Sequence, residues 1–449
     1  MSSTALTLVT LSFASFIANG VLAQEIGRDV ELEPITVQAS TEMARKRSAT
    51  IGALSEETAS GFTAKGARLG QLGNREIAKT PFSIVAFTAK AIRDQQAQTV
   101  IDIVRNDPSV RSDAPAFSDR DSFVIRGFPI TGDNTFFDGQ ANIANARRVH
   151  LEGIERVEAL KGPSAMLSGG IGRVGGSINV IPKRADDEPL TRLTTTYASK
   201  SQFGNHIDIG RRFGDSGEWG IRGNAAYRFG KTALDHNEIK VGALTLGLDY
   251  RGDDLRATLD LHHGSQKLDA PTSLFNTAKS NVVIPKAPKG SINTGNPFEY
   301  HDSRQSFFAG RVEYDLNEDT TIYAAGGASR YYEDFLTSNF VLTDDNGGGY
   351  GEFGYNPMRF TGYNGEIGLR TSFDTGAIGH DLSLSATKSV FENNRGRFHP
   401  RILGFKEFGT NIFKPSYVPS NFVDTSPAPR SNDLYPFADL HSTSLAISD

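Results

Sequence analysis

Few residues in this sequence have the types and spacing that chemistry needs. Gly170-Ile171-Gly172-Arg173-Val174-Gly175 satisfies the GxGxxG pattern. That pattern cradles a pyrophosphate only when it joins a strand to a helix. Here a strand pattern, Ser177 to Ile181, follows it, so the glycines read as a tight loop and not as a nucleotide site. His262-His263 offers two imidazoles. Neighbours on a strand point to opposite faces, so this pair cannot hold one ion. Arg251-Gly252-Asp253 reads as a turn. Cysteine is absent, which excludes disulfides, thiolate zinc sites and iron–sulfur clusters. No Ser/His/Asp or Cys/His set stands in a recognisable frame. The expectation is therefore no enzyme, no bound cofactor and no metal site.

The elements behind these residues point to a membrane and not to a catalytic core. The chain has 449 residues and a net charge of −5, so nucleic acid is not an expected partner. Mean hydropathy is −0.34. After residue 23 no apolar run approaches the ~20 residues that a membrane helix requires. A membrane β-barrel remains open, because its strands alternate and look soluble on average. Residues 1–23 read as a secretory signal: Leu6 to Ile17 is apolar and Val21-Leu22-Ala23 suits cleavage. No Lys or Arg precedes the apolar run, which departs from the usual pattern. Residues 24–78 are a polar tail with one β-branched island, Glu33-Pro34-Ile35-Thr36-Val37-Gln38-Ala39. That island is either a segment that adds a strand to a partner's sheet or a plain linker.

Residues 79–184 read as a mixed α/β unit. Strands are expected at Ser83–Phe87, Ser122–Arg126, Arg156–Leu160 and Ser177–Ile181, with helices from Ala89 and Val100 capped by Thr88 and Thr99. From residue 189 to 449 polar/apolar alternation recurs in segments of roughly ten residues. Strands are expected at 190–200, 203–213, 219–229, 238–250, 255–268, 305–316, 320–335, 360–373, 380–393 and 435–448. Their connections carry more information. Short ones, 214–218, 251–254, 317–319 and 374–379, alternate with connections that include 269–304, 336–359 and 394–434. All the long loops share one parity, so a meander puts them on one side. Outer-membrane barrels have this arrangement.

Five segments in order make the middle of the chain resemble the plug domain of TonB-dependent siderophore receptors. They are Lys79-Thr80-Pro81-Phe82-Ser83-Ile84-Val85, Phe123-Val124-Ile125-Arg126-Gly127-Phe128, Phe136-Phe137-Asp138-Gly139, Glu155 to Ser164 (ERVEALKGPS), and Gly175 to Asn179 with Lys183-Arg184. Ser168 in place of the family's frequent Tyr, and a glycine loop without its usual Pro, depart from the pattern.

The resemblance implies an α+β plug followed by an antiparallel transmembrane barrel in the bacterial outer membrane. It also implies that Glu33, Pro34, Ile35, Thr36, Val37, Gln38 and Ala39 form a TonB box, pairing with TonB and, through it, the inner-membrane energising complex. The cargo would be a ferric siderophore, with iron arriving already wrapped, and the full receptor a monomer in lipid. Only about nine residues separate the signal from the box, so no signalling domain is expected there. By the same resemblance Arg126 and Lys161 latch the plug to barrel carboxylates, with partners expected beyond residue 449. Ligand contacts are expected from the plug apex, at Phe117, Arg120, Asn134, Asn142 and Arg147. The long loops would add Phe275, Tyr300, Phe340, Tyr350, Phe353 and Tyr355.

Ten strands close to a bore of only ~20 Å. A plug of this size needs ~40 Å, which about twenty-two strands supply. The sequence therefore reads as the N-terminal part of a longer receptor, or a truncated product, with its barrel incomplete. Rival readings are an importer of haem, cobalamin or an oligosaccharide, a non-transporting adhesin or phage receptor, and an inactive remnant.

Overall fold

The computed structural model describes residues 49–114, 118, 120–130, 134–144, 147–170, 172, 174–277, 281–355, 357–396, 401–402, 409–420, 423–424 and 434–449. The signal segment, the island Glu33–Ala39 and Phe117 lie outside these residues.

The plug is built on a four-stranded sheet: β1 Ser83–Thr88, β2 Thr135–Phe137, β3 Ile154–Lys161 and β4 Gly176–Pro182, in the order β1-β3-β4-β2. β1 and β4 run antiparallel to β3, and β2 runs parallel to β4. Two short helices follow β1. In α1, Ala89–Asp94, Thr88 accepts from the Ala91 amide at 3.3 Å. In α2, Val100–Val104, Asp102 reaches back to the Thr99 amide at 3.0 Å, closing a capping box. Burial of Ile103 and Val104 against Val157, Ala159, Ile178 and Val180 makes one apolar core. The strand that follows the GxGxxG loop is β4, so the loop lacks the helix that a dinucleotide site requires.

The second unit is one antiparallel wall of ten long strands. They are β5 Leu190–Ala198, β6 Gln202–Phe213, β7 Trp219–Lys231, β8 Glu238–Arg251, β9 Leu255–Asp269, β10 Tyr300–Asn317, β11 Thr320–Leu342, β12 Met358–Thr375, β13 Ile378–Gly396 and β14 Leu434–Ser448. They pair in sequence order, with β5 and β14 at the two ends of the path. Polarity is inverted relative to a soluble sheet. On β6, Gln202 and Asp208 are buried while Phe203, Ile207, Ile209 and Phe213 are exposed. The inward face carries charged and amide side chains and the outward face apolar ones, as a lipid-spanning barrel demands.

Two aromatic belts bound the outward face. Trp219 and Tyr250 touch at 4.7 Å near the short turns, and Tyr197 and Phe203 at 4.9 Å near the other end. Trp219 and Phe229 stand ten positions apart on β7. At ~3.3 Å per residue and ~40° of tilt, that spans about 25 Å, the height of an outer-membrane apolar band.

Two strands reach further than the alternation predicts. β10 starts at Tyr300 and β11 runs to Leu342. The segment Gly348–Tyr355 folds back and pairs with Leu336–Leu342, supplying the hydrogen bonds that extend β11. Phe340 and Leu342 bury against Ile412 in a small core among the long loops.

Leu244 lies outward on β8, 57% exposed and six positions from Tyr250. Leu244→Arg is expected to lower folding stability in bilayer vesicles by about 2–4 kcal/mol, read by denaturant titration. A change below about 0.5 kcal/mol, ordinary for a water-exposed site, would mean that this face does not meet lipid.

Candidate functional site

The plug meets the wall along a seam of buried charge. Its densest part lies where the plug chain runs into β5. Lys183 Nζ contacts Asp208 of β6 at 3.1 Å and donates to the Glu152 carbonyl at 2.7 Å. Arg184 binds Asp260 of β9 with both terminal nitrogens, at 2.5 and 2.7 Å. Arg222 of β7 bridges Asp208 and Asp186. Arg212 of β6 binds Asp249 at 2.8 Å and the Ala185 carbonyl at 3.0 Å. A fork of five donors suits this duty, because each guanidinium satisfies several buried acceptors at once.

A second part clasps the start of the described chain. Glu313 of β10 accepts the Thr50 and Ile51 amides at 2.8 and 3.1 Å and pairs with Arg370 of β12. Arg75 binds Asp381 of β13 at 2.7 Å. These wall residues lie toward the short turns, so the N-terminal strand of chain sits at that end.

The third part lies toward the long loops. Arg147 binds Glu333 of β11 at 2.7 Å. Asn142 donates to Ser389 of β13 at 2.6 Å and accepts from Ser329. A side chain at Gly362 would bring its Cβ within 2.0 Å of the Asn142 carbonyl. The plug loop can lie that close only because the wall offers a glycine there.

Glu152 and Arg228 of β7 form a further ion pair across the seam. Burial pushes the Glu152 carboxyl up, but Arg228 and His150 outweigh it and bring it to about 2. Burial holds the His150 imidazole down to about 4. That ring stacks on His262, which stacks in turn on Phe307. His263 points the other way and contacts Ser306 at 2.9 Å, so the adjacent histidines do part to opposite faces.

Beside the seam, at the long-loop end, a cleft of about 580 Å³ opens between the plug and β7–β9. Arg105, Arg111, Arg120, Arg148 and Arg228 line it, with Asp102 and Asp121 as its carboxylates. Arg148 is held by Asp121 at 3.0 Å. Burial raises the Asp121 carboxyl even so. The cleft is of ordinary ligand-pocket size and is rich in guanidinium donors.

Several expected site residues have other duties. Lys161 bonds Asp107 inside the plug at 2.6 Å. Arg126, at φ +50°, donates to Ser83 at 2.9 Å. Among the described residues neither meets the wall; the described ion pairs between plug and wall run through Lys183, Arg184, Arg147 and Glu152. Of the ligand candidates, Arg120 lines the cleft. Asn142 and Arg147 are engaged by the wall, Asn134 is buried, and Phe340 is 1% exposed in the loop core. His301 is fully buried inward, so its neighbour Tyr300 faces outward by the strand period. Tyr300 and Tyr355 both bond Asp334. The sequence does carry a signal for the latch: acids and arginines such as Asp208, Arg222, Asp260 and Arg370 stand at inward positions of alternating strands. It does not say which plug residue meets each.

A wall of inverted polarity filled by an α/β plug defines a plugged outer-membrane receptor. Residues 76–177 match the family described as "TonB-dependent Receptor Plug Domain". Over 400 residues the chain is 35% identical to the ferrichrome receptor FcuA of Yersinia enterocolitica, covering 87% of this chain and 51% of that protein. It is 27% identical over 342 residues to the ferric-pyoverdine M114 receptor PbuA of a Pseudomonas strain, covering 70% of this chain and 37% of that protein. Among solved structures, BauA, the ferric preacinetobactin receptor of Acinetobacter baumannii, superposes with a TM-score of 0.79 at 30% identity, over 87% of this chain and 58% of that one. The chain spans about half the length of the curated relatives it matches. It belongs to the TonB-dependent receptors, a family of outer-membrane barrel proteins.

Two outcomes follow from the seam. Asp260→Ala leaves the Arg184 guanidinium buried without its carboxylate, so it is expected to destabilise the chain by about 3–5 kcal/mol in denaturant titration. A loss below about 1 kcal/mol would mean that water reaches this pair. Glu152 has a folded pKa below its ordinary 4.5. Its stabilisation is thus full above about 4.5 and is lost as pH falls from there toward 2. Glu152→Gln should flatten stability across that window, and an unchanged acid limb would contradict the assignment.

Proposed function

We propose that this chain is the plug and adjoining wall of a receptor that binds ferric siderophores at its external face. The receptor imports them into the periplasm with energy transmitted by TonB. The observation that carries this reading is the plug seated in the wall through polar contacts, beside a guanidinium-lined cleft at the long-loop end. Ferric siderophores are polar and often anionic, and such a cleft offers them charge-assisted donors. Relatives named for ferrichrome, pyoverdine and preacinetobactin reception share the same plug and wall.

The roles divide by end. Glu33–Ala39 is the TonB box and adds as a strand to TonB in the periplasm. The chain from there leads to Thr50 and Ile51, which Glu313 and Arg370 clasp at the short-turn end. Pull on the box therefore reaches the seam before it reaches the plug core. The receptor performs no catalysis and keeps no cofactor of its own, because iron enters and leaves as cargo. Passage requires the seam to part.

The test is uptake of radioactive iron by a receptor-deficient bacterium expressing the receptor, with a panel of siderophores. Uptake should occur with one chelate class and should vanish on deletion of Glu33–Ala39 or in a strain without TonB. Uptake that survives the deletion, or none with any chelate despite correct insertion, would overturn the reading.

A further inference from the structure

The inner face of β8 and β9 turns apolar at its long-loop end. Ile239 and Val241 of β8 and Leu268 of β9 are buried, while Lys240 and Lys267 beside them are exposed. The strand period therefore points the three aliphatic side chains inward. Ile239 stands directly opposite Leu268, and with Val241 they form one patch. The patch lines one side of the guanidinium cleft. Nearer the short turns the same two strands turn Asp249, Thr258 and Asp260 inward. Aliphatic side chains facing a polar cavity call for an occupant with apolar surface of its own.

The rest of the cleft is cationic. Arg105 follows α2 in the plug, and Arg111 stands six positions on. Arg120 and Arg148 of the plug and Arg228 of β7 complete the set. Three carboxylates answer these five guanidiniums. Asp121 binds Arg148, Glu152 binds Arg228, and Asp102 closes the cap of α2. Asp107, two positions from Arg105, is taken by Lys161. Among the described residues neither Arg105 nor Arg111 has a carboxylate at ion-pair distance. The cleft thus keeps an excess of two positive charges opposite an aliphatic patch. On the other side of the same plug loop, Arg147 lies over the Phe360 ring at 5.7 Å. That ring stacks on Tyr331 at 5.6 Å and on Phe391 at 5.5 Å. Guanidinium against ring is a packing that this end of the wall already uses.

We propose that this cleft selects ferric chelates whose iron is held by catecholate rings. The inference rests on the siderophore reading and narrows it to one chelate class. Three doubly deprotonated catechols around iron(III) leave a trianionic complex with aryl surface facing outward. Its charge suits the excess guanidiniums, whose forks can donate to the phenolate oxygens. Its rings suit Ile239, Val241 and Leu268 on one side and the flat face of a guanidinium on the other. A neutral trihydroxamate chelate offers the arginines no charge. A citrate chelate offers charge but no apolar face.

The experiment uses the receptor in uncharged detergent micelles and isothermal titration calorimetry. Three probes are titrated: a ferric tris-catecholate on a tripodal amide, a neutral ferric trihydroxamate, and ferric citrate. The tris-catecholate should bind at least about tenfold tighter than either of the others, and salt should weaken it. R105A/R111A should weaken it by at least about tenfold. V241T keeps the side-chain shape and adds a hydroxyl, and should weaken it by about threefold. Unchanged heat-modifiable migration on gels would show that each variant is folded. A trihydroxamate or citrate chelate that binds as tightly as the tris-catecholate would overturn this proposal and leave siderophore reception standing. Binding of none of the three would overturn both. A folded R105A/R111A or V241T receptor that binds the tris-catecholate like the parent would overturn the proposal.

Discussion

The structure depends on one constraint: the wall is polar inside, and those groups are removed from water once a plug fills the space. Buried carboxylates and guanidiniums are tolerated only when paired and hydrogen-bonded. The Asp208–Lys183–Arg222 cluster, the Arg184–Asp260 fork and the Glu313 clasp meet that demand from both sides at once. Plug and wall therefore specify each other. Charged and amide groups dominate their contacts, with a smaller apolar patch where Phe307 and Ala309 of β10 pack on the plug core, while each has its own internal order, an apolar core in the plug and a continuous strand ladder in the wall. A polar seam between two such units is the place where water can enter and replace protein partners at least cost. That makes it a parting surface, whereas the plug core loses apolar burial if it opens.

The same inversion explains the outside. Lipid demands apolar side chains and leaves no backbone group unpaired across the band. The wall answers with alternation and a ladder that continues from β5 to β14. Beyond the band the demand ends, and composition changes within two residues to lysine, arginine and aspartate. Long strands such as β11 outrun the membrane because Gly348–Tyr355 takes up their exposed hydrogen bonds. A loop core around Phe340 then orders the external end.

Much of this was legible in the sequence. Period-two alternation marks the ten long strands, and loop parity sorts the two ends, because both follow from local geometry. Five plug segments point to the family. What was not legible concerns partnership across the seam. Lys161 and Arg126 are charges at strand ends, and among the described residues a plug partner, Asp107 or Ser83, reaches each. Arg147 and Asn142 look like ligand contacts because they sit in an apical loop, yet Glu333 and Ser389 engage them. The last two pairings join residues 186 and 247 positions apart, and no spacing rule encodes them. β10 begins at Tyr300, five residues before the expected 305, so Tyr300 stands on a strand and not in a loop.

The claim that the seam must part is tested most directly by closing it. The chain has no cysteine, and a Cβ at Gly153 of the plug would lie 3.0 Å from the Thr245 Cβ of β8, about half an ångström inside the ordinary disulfide range, so the plug loop must ease back slightly for a bond to form. A receptor with Gly153→Cys and Thr245→Cys can be assayed for siderophore-iron uptake oxidised and then reduced in the same cells. If the seam must part, uptake is blocked by the bond and restored by reductant. Equal uptake in both states, with the bond verified by mass spectrometry, would contradict it.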